Sequence, residues 1–298
     1  MKKIETKSLV LLQHHLKALK LPTMLSEGPK IAARCAADNA DHLAFLLQLC
    51  ELELLDREKR AAERRLKAAH FPTYKTLENF DFAAQPSLNR ALVSELTRGL
   101  WIDERENVLL VGNPGTGKTH VATALAVEAC GKGKRVRFYR VTELITQLME
   151  AREERELGRL KKQLTRLDPL VLDELGYVPA SKLGAELLFD VISAAYERTS
   201  LIVTTNLPFE NWVEVLGSER LTGATLDRLT QRLRRALQQA RECQALELVA
   251  LMKQLPRGNV REDDQVGLTG QHECERRRLD NRVQQQLALV QVETITPQ

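Results

Sequence analysis

The sequence predicts an α/β fold: a parallel sheet covered by helices on both faces, preceded by a small helical N-terminal domain. Three observations carry this reading. Between residues 107 and 206, short apolar runs alternate with amphipathic helical stretches. The first of those runs leads straight into Gly112-Asn113-Pro114-Gly115-Thr116-Gly117-Lys118-Thr119, a glycine-framed turn before a helix. Ahead of both, residues 1–70 carry apolar side chains at helical spacing.

Composition bounds the answer before any motif does. The 298 residues suffice for one sizeable core and a smaller domain, and 43% apolar with 28% charged residues is a globular balance. A net charge of +4 is too mild to identify a nucleic-acid partner, because the placement of charges matters more than their sum. Five scattered cysteines (Cys35, Cys50, Cys130, Cys243, Cys274) form no C-x-x-C pair, and their odd number argues against a disulfide framework. A reducing, cytoplasmic setting is therefore expected. No apolar run approaches the ~18 residues of a membrane span, so no membrane partner is expected. The N-terminus also lacks the long apolar stretch of a secretory signal.

Taken in order, Leu9, Leu12, Leu16 and Leu19 recur at spacings of three and four, one face of a first helix. A longer helix follows from about Asp41, a candidate N-cap, to about Ala69, with Pro72 beyond it. Its end turns basic: residues 57–67, REKRAAERRLK, hold six basic and two acidic side chains. Residues 71–82, FPTYKTLENFDF, form a linker with aromatic anchors. Strands are expected at 107–112, 135–141, 169–174 and 200–206. The helices between them start at the glycine turn and end at Gly131, cover 142–164 as one charged amphipathic helix, and cover 181–199. The expected domains are 1–70 (helical, for DNA or partner binding), 71–232 (nucleotide core) and 233–298, an atypical helical or disordered tail.

The chemistry concentrates at the ends of these strands. In G-x-x-x-x-G-K-[ST] the glycines permit left-handed backbone, and successive amide N–H groups turn inward toward anionic oxygens. The following helix adds its positive N-terminus. Candidate nucleotide contacts run through Gly112, Asn113, Pro114, Gly115, Thr116, Gly117, Lys118, Thr119 and His120. Lys118 would reach the β- and γ-phosphates, and Thr119 would ligate Mg²⁺. An apolar strand ending in Asp173-Glu174 supplies two carboxylates at the sheet edge where ligands of open α/β sheets sit. Asp173 would hold Mg²⁺ and Glu174 would act as general base on the attacking water. Asn206, closing the strand expected at 200–206, would orient that water. Arg228 is a candidate for neutralising transition-state charge, against the ordinary alternative of a solvated arginine.

Read in sequence, VGNPGTGKTHVATAL, LVLDELGYVP, LIVTTNLPFENWVEV and LTGATLDRLTQR resemble the IstB-like ATPases. These are insertion-sequence helper proteins of the AAA+ class, related to the DnaC helicase loaders. The segment RLKAAHFPTYKTLENFDF resembles the stretch just before the ATPase core in the same family. The resemblance implies a P-loop NTPase of the AAA+ class that binds ATP and Mg²⁺ and assembles with ATP into oligomers on double-stranded DNA. It also implies stimulation of the transposase encoded with it. Lys118 and Thr119 then take the Walker A roles, Asp173 and Glu174 the Walker B roles, and Asn206 the sensor role. Arg228 becomes an arginine finger acting in trans.

The chain departs from the family after Leu229. A Gly-x-Ser-Tyr-Arg-like ending with its second sensor arginine is expected there, and TQRLRRALQQARECQALELVALMKQL stands instead. A changed reading frame and a genuine extension both account for this. Two other readings share the core: a helicase-loader-like replication ATPase, and a nucleotide-binding regulator that no longer hydrolyses. DNA contact, largely sequence-independent, is expected from residues 57–67 and from the basic residues of 132–140, since no helix-turn-helix or zinc pattern is present.

Overall fold

The computed structural model describes residues 2–177 and 181–230, and the tail expected at 233–298 lies outside them. Contacts divide the chain between Arg65 and Leu66 into two compact units.

The first unit is helical. It contains α1 (Lys2–Ala18), α2 (Pro22–Ala37) and most of α3 (His42–Ala69). Its core is small: Ile31 and Cys35 of α2 meet Leu49 of α3, with Met24, Phe45 and Leu52 around them. The expected face of α1 is only weakly used, since Leu9, Leu12 and Leu19 are exposed and Leu16 alone is half-buried. Helix α2 was not anticipated, because Gly28 and Pro29 interrupt its sequence with two poor helix formers. Leu21, its N-cap, offers no capping oxygen, and the cap comes from α3 instead. Glu53 Oε2 accepts hydrogen bonds from the amides of Thr23 (2.8 Å) and Met24 (3.0 Å), while Arg60 pairs with Oε1 at 2.9 Å.

The second unit takes in the last turn of α3 and then the 71–82 segment, which holds a single 3₁₀ turn at Leu77–Asn79. Next come α4 (Arg90–Leu96) and α5 (Leu100–Asp103), both unanticipated. Asn89 starts α4 by accepting from the amides of Ala91 and Leu92. The alternating part then runs β1 (Val108–Val111), α6 (Lys118–Gly131), β2 (Arg137–Arg140), α7 (Val141–Glu153) and α8 (Leu157–Leu164). It continues through β3 (Pro169–Leu175), α9 (Lys182–Ala195), β4 (Ser200–Thr205), α10 (Trp212–Leu216) and α11 (219–230). All strand pairs are parallel, in the order β1-β4-β3-β2, and each strand falls within the range expected from its apolar run to within a residue or two.

The single helix expected over 142–164 is two. Arg155 takes a left-handed backbone (φ +60°). Its amide then donates to Arg152 O, and the amide of Glu156 reaches back to Ala151 O at 2.7 Å. That pair of bonds is a Schellman ending, which usually recruits glycine. An arginine in that place hides the stop from a sequence reading.

Side chains along the strands alternate between two apolar layers, as a parallel sheet buried on both faces requires. Leu170, Leu172, Leu201 and Val203 join Leu144, Leu148 and Leu188 of α7 and α9. Val171 and Ile202 join Val121 and Leu125 of α6, with Trp101 and Ile102 of α5. Because β1 pairs with β4 and β4 with β3, the chain segments that leave β1, β3 and β4 emerge side by side at one edge.

Candidate nucleotide site

Gly112 N donates to Thr205 O at 3.2 Å, extending the β1–β4 ladder to the start of the glycine turn. Gly115 and Gly117 both adopt φ +81°, which a side chain would strain. A Cβ on Gly117 would also come within 2.6 Å of the Phe80 ring. Thr116 Oγ1 donates to Asn113 O at 2.9 Å and tightens the loop. Lys118 folds back over it, its Nζ donating to Gly112 O (2.8 Å) and Asn113 O (2.7 Å). Burial lowers the pKa of this lysine, and the negative charge of Asp173 works in the opposite direction.

The two residues expected to share a metal are in contact. Thr119 Oγ1 donates to Asp173 Oδ1 at 2.9 Å. The pair offers a hydroxyl and a carboxylate oxygen, the donors a hard cation such as Mg²⁺ takes, so the side chains present fit that ion. Glu174 is half-exposed, with Oε2 3.9 Å from Arg140 Nε at the end of β2. Its backbone stands at φ +61°, a conformation that costs a non-glycine residue about 1–2 kcal/mol. Leu172 pairs with Val203 but Leu175 with Thr205, so β3 carries one extra residue here, a β-bulge. Asn206 follows β4 directly, beside the loop that β1 enters.

The side chains of two other expected residues are engaged with partners outside the Thr119–Asp173 pair. The His120 ring faces the linker, where Nε2 hydrogen-bonds Thr76 O at 2.8 Å and the ring meets Phe80 edge-on at 5.2 Å. Arg228 lies on α11, with Nη1 donating to Ala224 O and its guanidinium over the Phe189 ring at 4.6 Å.

The sequence reading missed Thr204 and Phe80. Thr204 lies two residues before Asn206 in an apolar run, and only its hydroxyl distinguishes it. Phe80 was seen as an anchor but not as the residue that closes on Gly117.

The basic residues at 132–140 are largely committed within the fold. Lys134 pairs with Asp103, and Arg135 with Asp168 at 3.4 Å. Arg137 donates to Ala68 O and lies over the Tyr139 ring. On α3, Arg57, Lys59, Arg64 and Lys67 are exposed, whereas Arg60 is tied to Glu53. No described helix is long and apolar enough to cross a membrane.

The family described as "IstB-like ATP binding protein" matches residues 14–239. A Pseudomonas aeruginosa protein named for insertion sequence IS21 and for ATP binding is 39% identical over 214 residues, covering 72% of this chain and 81% of that protein. Its Geobacillus stearothermophilus counterpart, named for insertion sequence IS5376, is 35% identical over 71% of this chain and 84% of its own length. Among solved structures, the DnaC helicase loader is similar at 24% identity with a TM-score of 0.43, covering 55% of this chain and 95% of that one.

Proposed function

This chain belongs to the IstB-like ATP-binding protein family, whose core is a P-loop NTPase of the AAA+ class, and from that premise we propose that it is an ATP-hydrolysing helper of DNA transposition. The observation that carries the reading is the 2.9 Å contact between Thr119 and Asp173 at the mouth of the glycine turn. It joins residues 54 positions apart in sequence into one oxygen-rich corner beside a phosphate cradle.

In this reading the amides of residues 115–119 hold the β- and γ-phosphates, and Lys118 leaves its loop carbonyls to meet them. Thr119 and Asp173 would hold Mg²⁺, which when bound neutralises charge on the phosphate oxygens. Glu174 takes a proton from the attacking water as that water's oxygen bonds to the γ-phosphorus. The bond to the bridging oxygen breaks, leaving ADP and phosphate. Asn206 orients the water. Arg228 serves a neighbouring copy rather than its own site, a reading that its engagement with Phe189 and Ala224 O supports. Double-stranded DNA is held largely through the exposed basic residues of α3, and the partner is the transposase encoded with the protein. Assembly on DNA requires ATP.

The decisive experiment is phosphate release with and without duplex DNA, comparing the native protein with Glu174→Gln and Lys118→Ala. We expect Glu174→Gln to bind ATP and to release phosphate at about 1% of the native rate or less. Equal release from both would remove Glu174 from catalysis. Tight ATP binding with no release from the native protein would instead favour a regulator that does not hydrolyse, and capture of a replicative helicase rather than a transposase would favour a loader.

A further inference from the structure

We propose that Thr204 is a positioning residue whose single hydroxyl sets the geometry of both acidic side chains of the site. The proposal deepens the hydrolytic reading above and rests on it for its functional consequence.

The hydroxyl uses both of its hydrogen-bonding capacities. It donates to Asp173 Oδ1 at 2.6 Å and accepts from the amide of Glu174 at 2.9 Å. Thr204 and Asp173 are each 1% exposed, so water does not compete for these bonds. The location explains the need. At the bulge, β3 has one residue too many for β4, and the Glu174 amide is served by a side chain of β4 rather than by a carbonyl of its ladder. In a regular strand Asp173 and Glu174 would point to opposite faces of the sheet. The left-handed backbone at Glu174 breaks that alternation, and the Thr204 hydroxyl is the group that meets the broken ladder at that point.

The same oxygen therefore couples two tasks. Asp173 Oδ1 receives two hydroxyls, from Thr119 and from Thr204. Thr119 is the one expected to turn a lone pair toward the cation, and Thr204 fixes the carboxylate independently of it. One bond further along, it pins the backbone from which the general base projects. Valine at this position would fill the same volume and leave the Asp173 oxygen and the Glu174 amide each short of a buried partner.

The test uses Thr204→Val and Thr204→Ser in the full chain. Exchange of the Glu174 amide is followed by NMR without nucleotide, ATP affinity is measured in EDTA, and single-turnover hydrolysis is measured with Mg²⁺. Losing hydrogen bonds to a carboxylate and a buried amide should speed Glu174 exchange and slow hydrolysis by about 10- to 100-fold in Thr204→Val, with ATP affinity in EDTA held within about twofold. Thr204→Ser, which keeps the hydroxyl, should return both rates to within about threefold of native. Native exchange or native hydrolysis in Thr204→Val overturns the proposal. So does a serine variant as impaired as the valine one, which would assign the effect to packing. A native protein that binds ATP without hydrolysing it would defeat the hydrolytic reading alone, and the exchange rates would then decide whether the hydroxyl holds the bulge.

Discussion

Lys118 spends its ammonium on two carbonyl oxygens of its own loop, so an incoming triphosphate has to offer it a better arrangement than the one it leaves. Burial holds its pKa below the ordinary 10.5, with Asp173 opposing that shift. Only the protonated amine neutralises phosphate, so affinity for ATP falls as pH climbs through this lowered value, earlier than an unperturbed lysine would dictate. A fluorescent-nucleotide titration run from neutral to alkaline pH should show the loss, accompanied by proton uptake on binding. Affinity that stays flat up to the ordinary lysine range would contradict the role. At this scale the sequence was most informative where chemistry is local. The glycine spacing, Lys118 and Thr119 are consecutive, and their function needs no long-range partner to be read. Thr204 was illegible for the opposite reason: its hydroxyl gains meaning only when β3 is one residue out of step beside it.

Among the elements, α11 depends on a side chain far away in sequence. Asn107 accepts from the amide of Leu201 at 2.9 Å and donates to Leu229 O at 3.1 Å, bridging the start of β4 to the helix that bears Arg228. Asn107→Ala should cost about 2 kcal/mol in urea unfolding, roughly one for each lost bond, and should speed amide exchange across 219–230. Unchanged exchange there would show that packing alone holds the helix. Helix α2 has a similar debt to α3. Burial works against the charge on Glu53, but the amides of Met24 and Thr23, together with Arg60, bring its pKa below the ordinary 4.5. A carboxylate depressed in this way stabilises the fold above its unfolded pKa, and that contribution disappears as pH falls through the lower folded value. Acid unfolding of the N-terminal helices, followed by circular dichroism, should therefore lose much of its pH dependence in that window in Glu53→Gln. Neither bridge could be seen from spacing, since each joins residues with no shared pattern. The strands were legible because each is a bounded apolar run, whereas the break between α7 and α8 was not, because Arg155 carries no turn signal.

For the molecule as a whole, the folded arrangement redistributes the basic charge that the sequence displays. Residues 132–140 looked like a DNA-facing stripe, yet within it Lys134, Arg135 and Arg137 engage Asp103, Asp168 and the backbone of Ala68. The exposed residues Arg57, Lys59, Arg64 and Lys67 of α3 remain as the stronger candidates. Each of these that contacts a phosphate should contribute about 0.9 to the slope of log affinity against log salt on duplex DNA, so neutralising all four should flatten that dependence without changing sequence preference. A slope that does not move would place the DNA elsewhere. The strand order has a different consequence, one for the order of events at the ribosome. The strand that launches the phosphate cradle, β1, finds its partner in β4, whose residues are made more than ninety positions later. A nascent chain displaying every residue of the glycine turn therefore still lacks the neighbouring strand that braces it. Nucleotide capture should begin only after translation has passed Asn206 and that stretch has cleared the exit tunnel.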